Sequence, residues 1–235
     1  MLKRAEWLKE KRRMTEIRYD TMFARDYDEH WSHINPSHRA FLLDFLAYLP
    51  SDGMILDAAC GTGKYWPIIL ESQEYKQCEQ CESGKQHQYK LMGIDQSQQM
   101  LLQALVKFPT VIIEKLGLQE IRYADAFDGI ICIDAMEMVF PEDWLLILHN
   151  FQQALHFGGY CYFTVEVIDP GELIESQAEA KRLGLPTVAG EYAHAGGYHY
   201  YPRLDQVRTW LRETYFHIVK EGEGDGYHHF IARRV

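Results

Sequence analysis

Five short apolar segments divide the middle of the chain into regular units. They span residues 54–60, 91–95, 111–116, 127–133 and 159–165. Segments this short and this apolar are typical of strands that are buried on both faces of a sheet. Helical patterns lie between them, at about 64–72, 97–107 and 142–155. The alternation predicts an α/β fold, in which helices cover both faces of a mostly parallel sheet.

The N-terminal region has a different pattern. Residues 5–33 are predicted as one long helix, because aromatic side chains recur every four positions at Tyr19, Phe23, Tyr27 and Trp31. Such a stripe belongs either to a protein core or to a ligand pocket, and the sequence leaves both alternatives open. Asn35-Pro36 then predicts the start of a second helix, which ends at Pro50 to Gly53.

The C-terminal region also departs from the alternation. A predicted helix near 203–214 leads to apolar segments at 216–220 and 227–233, which a glycine-rich turn at 221–226 connects. Two strands joined by a short turn form an antiparallel hairpin. With this hairpin, the predicted Rossmann-like sheet has seven strands.

Composition and charge narrow the function classes. The chain has 235 residues, 24 Lys and Arg, 34 Asp and Glu, and a net charge of -10, a size that suits one domain. The acidic balance argues against nucleic acid or an anionic membrane as the main partner. Five cysteines without a clear pairing pattern, together with the lack of an export signal, favour a cytoplasmic location. The oligomeric state cannot be predicted.

The most informative motif follows the first predicted strand. It is the sequence Asp57-Ala58-Ala59-Cys60-Gly61-Thr62-Gly63, at the edge where open α/β sheets bind ligands. Its glycines let a ligand approach bare backbone. Asp95 ends the next strand, where its carboxylate could accept both hydroxyls of a ribose. Together these features favour a nucleoside-containing cofactor, although Asp95 could instead cap the next helix and the glycines could serve packing alone.

The position of a third glycine distinguishes between cofactors. A dinucleotide-binding motif needs a glycine three residues after Gly63, and Trp66 stands there. A nicotinamide-dependent reductase is therefore the less favoured alternative, and a nucleoside ligand without a pyrophosphate is preferred.

A set of motifs along the chain resembles the class I S-adenosylmethionine-dependent methyltransferases, particularly small-molecule members of the broad type 11 group. The resemblance covers about residues 17–168. It is carried by segments 55–63, 93–97 with Met100-Leu101, 127–131, 136–139 with 141–144, and 154–160. It implies S-adenosylmethionine as cofactor, S-adenosylhomocysteine as product, and methyl transfer to an oxygen or nitrogen of a small molecule. A regulatory module that binds the cofactor without turnover is the alternative.

The resemblance also implies roles for individual residues. The glycine loop would run under the methionine part of the cofactor, Asp95 would hold its ribose, and Gln96 would lie against the adenine. The full set of implied cofactor-binding residues is Tyr27, Asp57, Ala59, Gly61, Gly63, Asp95, Gln96, Leu118, Gln119, Asp134 and Ala135. Departures from the family pattern are Gly117, Met138 in place of a frequent histidine, and an insertion at 73–89.

The same resemblance divides the single methyltransferase domain, residues 1–235, into four parts. Residues 1–50 would form a helical lid, residues 54–168 the cofactor-binding core, and residues 169–202 a substrate cap inserted after the fifth strand. Residues 203–235 would supply the last helix and the hairpin.

Histidine and tyrosine residues cluster in the cap and in the last strand. An aromatic wall there would favour an aromatic acceptor. The candidates for a general base are His199, His228, His229 and, as a non-histidine alternative, Glu166. His228 and His229 are expected on opposite faces of a strand, so at most one could face the site. Methyl transfer needs no metal and none is expected; Cys78 and Cys81 with His87 supply only part of a zinc ligand set.

Overall fold

A computed structural model describes residues 3–71, 89–193 and 197–235. The N-terminal region is not one helix. It consists of α1 (Arg4–Arg18), a π-helical turn (Tyr19–Phe23), a 3-10 turn (Ala24–Asp26) and α2 (Tyr27–Trp31). The next helix, α3 (Pro36–Tyr48), begins at the predicted Asn35-Pro36. The breaks after Arg18 turn the chain so that both Tyr19 and Tyr27 line the same cavities.

The core alternates strands and helices as the sequence predicts. In chain order these are β1 (Met54–Ala58), α4 (Trp66–Glu71), β2 (Lys90–Asp95), α5 (Gln98–Lys107), β3 (Ile112–Lys115), β4 (Phe127–Cys132), α6 (Trp144–Ala154) and β5 (Leu155–Glu166). Short 3-10 turns at Leu118–Glu120 and Met136–Met138 follow β3 and β4. The fifth strand begins earlier than predicted, because β4 and β5 pair through Phe127 and Leu155 and shift register before Gly129 and Tyr160.

The C-terminal part begins with α7 (Pro170–Arg182) and a separate ribbon, β6 (Glu191–Tyr192) with β7 (His199–Tyr200). It ends with α8 (Leu204–Glu213), β8 (Phe216–Gly224) and β9 (Tyr227–Arg234). The main sheet has seven strands in the order β3-β2-β1-β4-β5-β9-β8. Its first five strands are parallel, and β9 is antiparallel to both β5 and β8. The prediction of a mostly parallel seven-stranded sheet with a C-terminal hairpin is confirmed.

The sheet separates two apolar cores. Alternate residues of β1 face opposite sides, so that Leu56 packs with α6 and α8 while Ile55 packs with α3, α4 and α5. With helices on both faces, the carboxyl ends of the parallel strands are the accessible edge. The loops after β1, β2 and β4 meet there.

Candidate functional site

The loop after β1 has an unusual backbone. Ala59, Gly61 and Gly63 have positive φ angles of 67°, 54° and 77°. This left-handed region is costly for alanine, and non-glycine residues in it concentrate at functional sites. Gly61 lines two cavities, and a Cβ there would meet only the Met100 methyl, at 3.4 Å. Its bare backbone is therefore a surface that a ligand can approach.

Gly63 has a different role, because Trp66 covers it. A Cβ on Gly63 would lie 2.7 Å from the indole, and one on Gly93 would lie 2.5 Å from it. The fully buried indole also donates a hydrogen bond from Nε1 to Asp57 Oδ2, at 2.7 Å. Burial raises the pKa of Asp57 to about 7, and the Trp66 hydrogen bond opposes this shift. Trp66 therefore fills the space of a third glycine and anchors the acid under the loop.

Asp95 joins the glycine loop to the start of α5. Its carboxylate accepts hydrogen bonds from Gly61 N at 2.9 Å and from Ser97 N at 2.8 Å. Ser97, and not Asp95, is the side-chain cap of α5, because its Oγ accepts from Met100 N. Burial raises the pKa of Asp95 to about 6, against the effect of these hydrogen bonds.

A cavity of about 110 Å³ lies between the loop and the N-terminal region. Nine of the eleven residues predicted to bind the cofactor line it: Tyr27, Ala59, Gly61, Asp95, Gln96, Leu118, Gln119, Asp134 and Ala135. Asp57 lines an adjoining cavity of about 30 Å³ that also contacts Lys64, and Gly63 lines neither of them.

The 110 Å³ cavity has further lining residues to which the sequence assigned no role. Leu116 lines it, as do Met100 and Val139, which the sequence motifs include without a role. Leu116 follows β3 directly, so the same rule about strand ends could have indicated it. The predicted pair Leu118 and Gln119 is held in place by Asn150, whose Nδ2 donates to the Leu118 carbonyl at 3.1 Å.

The segment from Tyr19 to Trp31 is fastened over this cavity by two aspartates. Asp28 accepts from the Thr62 hydroxyl and from Lys107 Nζ, both at 2.6 Å. Asp20 accepts from the Ser97 hydroxyl at 2.6 Å and from Gln99 N at 3.1 Å. The segment therefore bridges the glycine loop and both ends of α5.

A larger cavity of about 340 Å³, here called the aromatic chamber, adjoins the first. Its aromatic lining consists of Tyr19, Phe23, Tyr27, Trp31, Tyr192, Tyr198 and Tyr227. All four members of the N-terminal aromatic stripe thus line a cavity. Tyr19, Tyr27, Asp134 and Met138 line both cavities, so the two meet at these side chains.

Polar side chains occupy the part of the chamber near the sheet. His199 Nδ1 lies 2.8 Å from Glu166 Oε2 and 3.0 Å from the Tyr201 hydroxyl. Asp134, at φ 58°, accepts a short hydrogen bond from the Tyr227 hydroxyl, and Lys64 Nζ lies 3.8 Å from its carboxylate. Glu137 also lines the chamber, and the sequence did not indicate it as a site residue.

The structure brings two of the four candidate bases to the chamber, His199 and Glu166. Of the residues in β9, only Tyr227 lines the chamber. Tyr227 pairs with Glu166 at the end of β5, and the residues that follow it in β9 pair with earlier β5 residues, farther from the chamber. His229 lies under α3, stacked on Phe41 with ring centroids 4.4 Å apart. His228 points to the opposite face, as predicted, and contacts Glu221 at 3.0 Å. Neither histidine lines the chamber.

Within 3–71, 89–193 and 197–235, no three His, Cys, Asp or Glu side chains form a group that could hold a metal ion. The partial zinc motif of Cys78, Cys81 and His87 lies outside these described ranges. No helix of the described part combines the length and apolar character that crossing a membrane requires.

Comparisons with known proteins agree with this geometry. A family model described as a methyltransferase domain matches residues 23–221. A comparison with curated proteins found no significant sequence match.

Three similar solved structures show the fold. The Burkholderia thailandensis 1,6-didemethyltoxoflavin-N1-methyltransferase is 16% identical, with a TM-score of 0.67, covering 100% of this chain and 92% of that one. The magnesium protoporphyrin IX methyltransferase of Synechocystis PCC 6803 is 14% identical, with a TM-score of 0.65 and coverages of 96% and 100%. A methyltransferase from Methanosarcina mazei is 17% identical, with a TM-score of 0.62 and coverages of 82% and 97%. By its family match and its fold, the chain belongs to the class I S-adenosylmethionine-dependent methyltransferases.

Proposed function

We propose that this protein transfers a methyl group from S-adenosylmethionine to an oxygen or nitrogen of an aromatic small molecule. The observation that carries the proposal is the junction of the two cavities at Tyr19, Tyr27, Asp134 and Met138. One cavity has the features of a nucleoside site and the other is walled by aromatic rings. Molecules held in the two would meet at this junction.

The residues of the smaller cavity fit the cofactor. Gly61 offers bare backbone, and the Asp95 carboxylate has further lone pairs that can accept ribose hydroxyls. Lys64 and Tyr27 line the small cavity beside Asp57, where a carboxylate of the methionine part would find a cation. When bound, S-adenosylmethionine supplies an electrophilic methyl group, so the protein's tasks are alignment and exclusion of water.

The lid and the cap carry out those tasks in this proposal. Residues 1–50 form the lid, since Asp20 and Asp28 fasten its middle segment over the cofactor cavity. Residues 169–202 form the cap, which contributes Tyr192, Tyr198 and His199 to the chamber. Aromatic walls favour a planar acceptor through buried area and ring stacking.

His199 is the best-placed candidate for a general base. Its Nδ1 faces the Glu166 carboxylate at 2.8 Å, which favours the tautomer with the proton on Nδ1. Nε2 makes no hydrogen bond to the described part of the chain and would be free to accept a proton from an acceptor hydroxyl or ammonium. Glu166 then acts as the group that orients the base.

The kind of acceptor follows from charge and from the relatives. A net charge of -10 disfavours nucleic acid and anionic membranes, so we propose a free small molecule. Two of the similar structures are named for methyl transfer to small molecules, 1,6-didemethyltoxoflavin and magnesium protoporphyrin IX. Buried free thiols at Cys60, Cys132 and Cys161 suit a reducing compartment, and we propose the cytoplasm.

Ligand binding and turnover test this function together. S-adenosylhomocysteine at a hundred times its Kd should stabilise the protein by about 2.7 kcal/mol in a thermal-shift assay, and NAD should not. With a panel of aromatic acceptors, S-adenosylhomocysteine should be released. His199→Gln should lower kcat by about 10²–10⁴-fold and leave S-adenosylhomocysteine affinity unchanged. Equal stabilisation by NAD, or binding without turnover of any acceptor, would contradict the proposal.

A further inference from the structure

One side of α1 carries three cationic side chains spaced seven residues apart, Arg4, Lys11 and Arg18. Seven residues make about two helical turns, so the three side chains lie on the same side of the helix. Arg4 pairs with the buried Glu191 of the cap, at 2.9 Å. Lys11 Nζ donates to the carbonyl of Gly197, at 3.4 Å. This side of α1 therefore faces the cap that lines the aromatic chamber.

Arg18 has a charge that is not neutralised in the described part of the chain. It lines the chamber and is half-buried. No described residue forms an ion pair or a hydrogen bond with its guanidinium group, and none of the guanidinium nitrogens is fully buried. The group lies over the ring of Phe23, another residue of the chamber wall, with Cζ 5.2 Å from the ring centroid. A ligand in the chamber can therefore contact a permanent positive charge.

The acidic side chains of the chamber, in contrast, are paired or buried. Asp134 accepts a hydrogen bond from the Tyr227 hydroxyl, and Glu166 Oε2 lies 2.8 Å from His199 Nδ1. Burial, and after it the charge of Asp134, raises the pKa of Glu137, which favours its uncharged form. Within the described lining of the chamber, the guanidinium group of α1 is thus the charged group that lacks a partner.

A second cation adds to the positive charge beside the chamber. Lys11 has no acidic partner among the described residues, and burial, followed by the charge of Arg18, lowers its pKa. Two like charges held near each other without an acid are unfavourable in the free protein, and an anion bound beside them would relieve this repulsion. The first 18 residues contain seven Lys and Arg against three Glu, so an acidic protein has a locally basic region here.

We propose that Arg18 is a specificity-determining residue that binds a carboxylate of the methyl acceptor, so that the substrates are planar aromatic acids. The inference rests on the proposed function and names its substrate class. A guanidinium group can donate two parallel hydrogen bonds to a carboxylate while its face stays on an aromatic ring such as Phe23. Arg18 lines the chamber and not the cofactor cavity. The carboxylate therefore serves recognition, and a different oxygen or nitrogen of the acceptor lies at the junction of the cavities.

A pair of ligands with one shape tests the proposal. The probes are 6-hydroxy-2-naphthoate and 6-hydroxy-2-naphthamide, which share a ring system and a hydroxyl and differ in the charge of one group. Their affinities are measured by calorimetry on the protein saturated with S-adenosylhomocysteine. The acid should bind at least about tenfold more tightly than the amide, because a carboxylate forms charge-assisted hydrogen bonds with a guanidinium group.

Variants separate Arg18 from the general charge of α1. Arg18→Gln should reduce the preference for the acid over the amide by about tenfold while S-adenosylhomocysteine affinity stays unchanged. Arg18→Lys keeps the charge and loses the planar fork of donors, so it should retain part of the preference. Arg13→Gln is the matched control, since it makes the same change in the same helix at an exposed arginine that pairs with Glu10. This control should keep the preference of the wild type.

The outcomes are distinguishable from those of the proposed function. Equal or tighter binding of the amide, failure of the acid to bind, or a preference that Arg18→Gln leaves unchanged would overturn this inference. A wild-type protein that does not bind S-adenosylhomocysteine would instead overturn the function on which it rests.

Discussion

At the scale of single residues, Asp95 has two roles in one carboxylate. It receives the backbone N–H groups of Gly61 and Ser97, and it lines the cofactor cavity. Burial raises its pKa to about 6, so the free protein has a carboxyl that titrates just below neutral pH. A ligand that donates hydroxyls to Asp95 needs its charged form. Cofactor binding should therefore depend on the ionisation of this residue.

We expect S-adenosylhomocysteine affinity to be constant above pH 6 and to fall as the pH decreases below it. Asp95→Asn should weaken affinity at least about tenfold, because charge-assisted hydrogen bonds are worth roughly 1.5–3 kcal/mol each. Calorimetry at several pH values measures both effects. The variant should lose the pH dependence that Asp95 causes, and identical pH profiles for variant and wild type would assign the titration to another group.

Most residues of the candidate cofactor cavity could be predicted from their positions at strand ends. Asp95 ends a parallel strand, and Gly61 and Asp134 lie shortly after two others, so that the order of strands alone brings them to one edge. Glu137 could not be predicted in this way. The 3-10 turn that carries it packs against β5 and β7, so its burial depends on tertiary contacts and not on a local sequence pattern.

At the scale of elements, the N-terminal region departs most from its sequence pattern. The spacing of four between aromatic residues predicted one helix, yet a π turn and a 3-10 turn interrupt it at Tyr19–Phe23 and Ala24–Asp26. Local periodicity contains no information about distant partners. Here Asp20 and Asp28 bind groups of the loop after β1 and of α5, and these contacts hold the interrupted helix in place.

The C-terminal hairpin shows a second kind of departure. The glycine-rich sequence predicted a turn over residues 221–226, but the turn consists of Asp225 and Gly226 alone, both with positive φ. Such a two-residue Asp-Gly turn suits a tightly paired hairpin. Gly224 lies within β8, where a Cβ would come 2.5 Å from Ser37 Cβ. This glycine therefore permits close packing of α3 on the strand.

The hydrogen bonds of Asp20 and Asp28 should slow dissociation of the cofactor. Asp20→Ala together with Asp28→Ala removes four hydrogen bonds that fasten Tyr19 and Tyr27 over the cavity. S-adenosylhomocysteine should then dissociate about tenfold faster, since each net hydrogen bond contributes roughly 0.5–1.5 kcal/mol. Stopped-flow displacement measures the rate. Asp26→Ala is the control within the same segment, because among the described residues Asp26 pairs only with the exposed Arg25. An unchanged rate in the double variant would show that other contacts hold the segment from Tyr19 to Trp31 over the cavity.

At the scale of the whole molecule, a buried histidine connects α3, the glycine loop and the hairpin. His38 is fully buried, and its Nδ1 lies 2.9 Å from the Tyr65 hydroxyl. Its ring lies 4.6 Å from Tyr227 and 5.2 Å from His229. Burial, followed by the nearby His229 and Lys64, lowers the pKa of His38 to about 3, and Asp225 opposes this shift. The folded protein therefore holds this ring neutral.

This neutral histidine should make the fold sensitive to acid. An unfolded histidine takes up a proton near pH 6.5, whereas folded His38 does so only near pH 3. Between these values the unfolded chain binds more protons, so the free energy of unfolding should fall as the pH decreases, by at most about 1.4 kcal/mol per pH unit. The raised pKa values of Asp57 and Asp95 act in the opposite direction, because those groups bind protons more readily when folded.

Because these contributions partly cancel in the wild type, the effect of His38 is best measured as the difference in the free energy of unfolding between the wild type and a His38 variant. We expect His38→Gln to reduce the loss of stability between pH 6.5 and 4 in urea unfolding, even if the variant is less stable at pH 7. His33→Gln, at an exposed position before α3, should follow the wild-type curve. Because only the wild type loses the contribution of His38, the curves of stability against pH of His38→Gln and the wild type should converge as the pH falls. Curves that stay parallel would mean that folded His38 accepts a proton as easily as an unfolded histidine, and that the acid sensitivity of the fold arises at other groups.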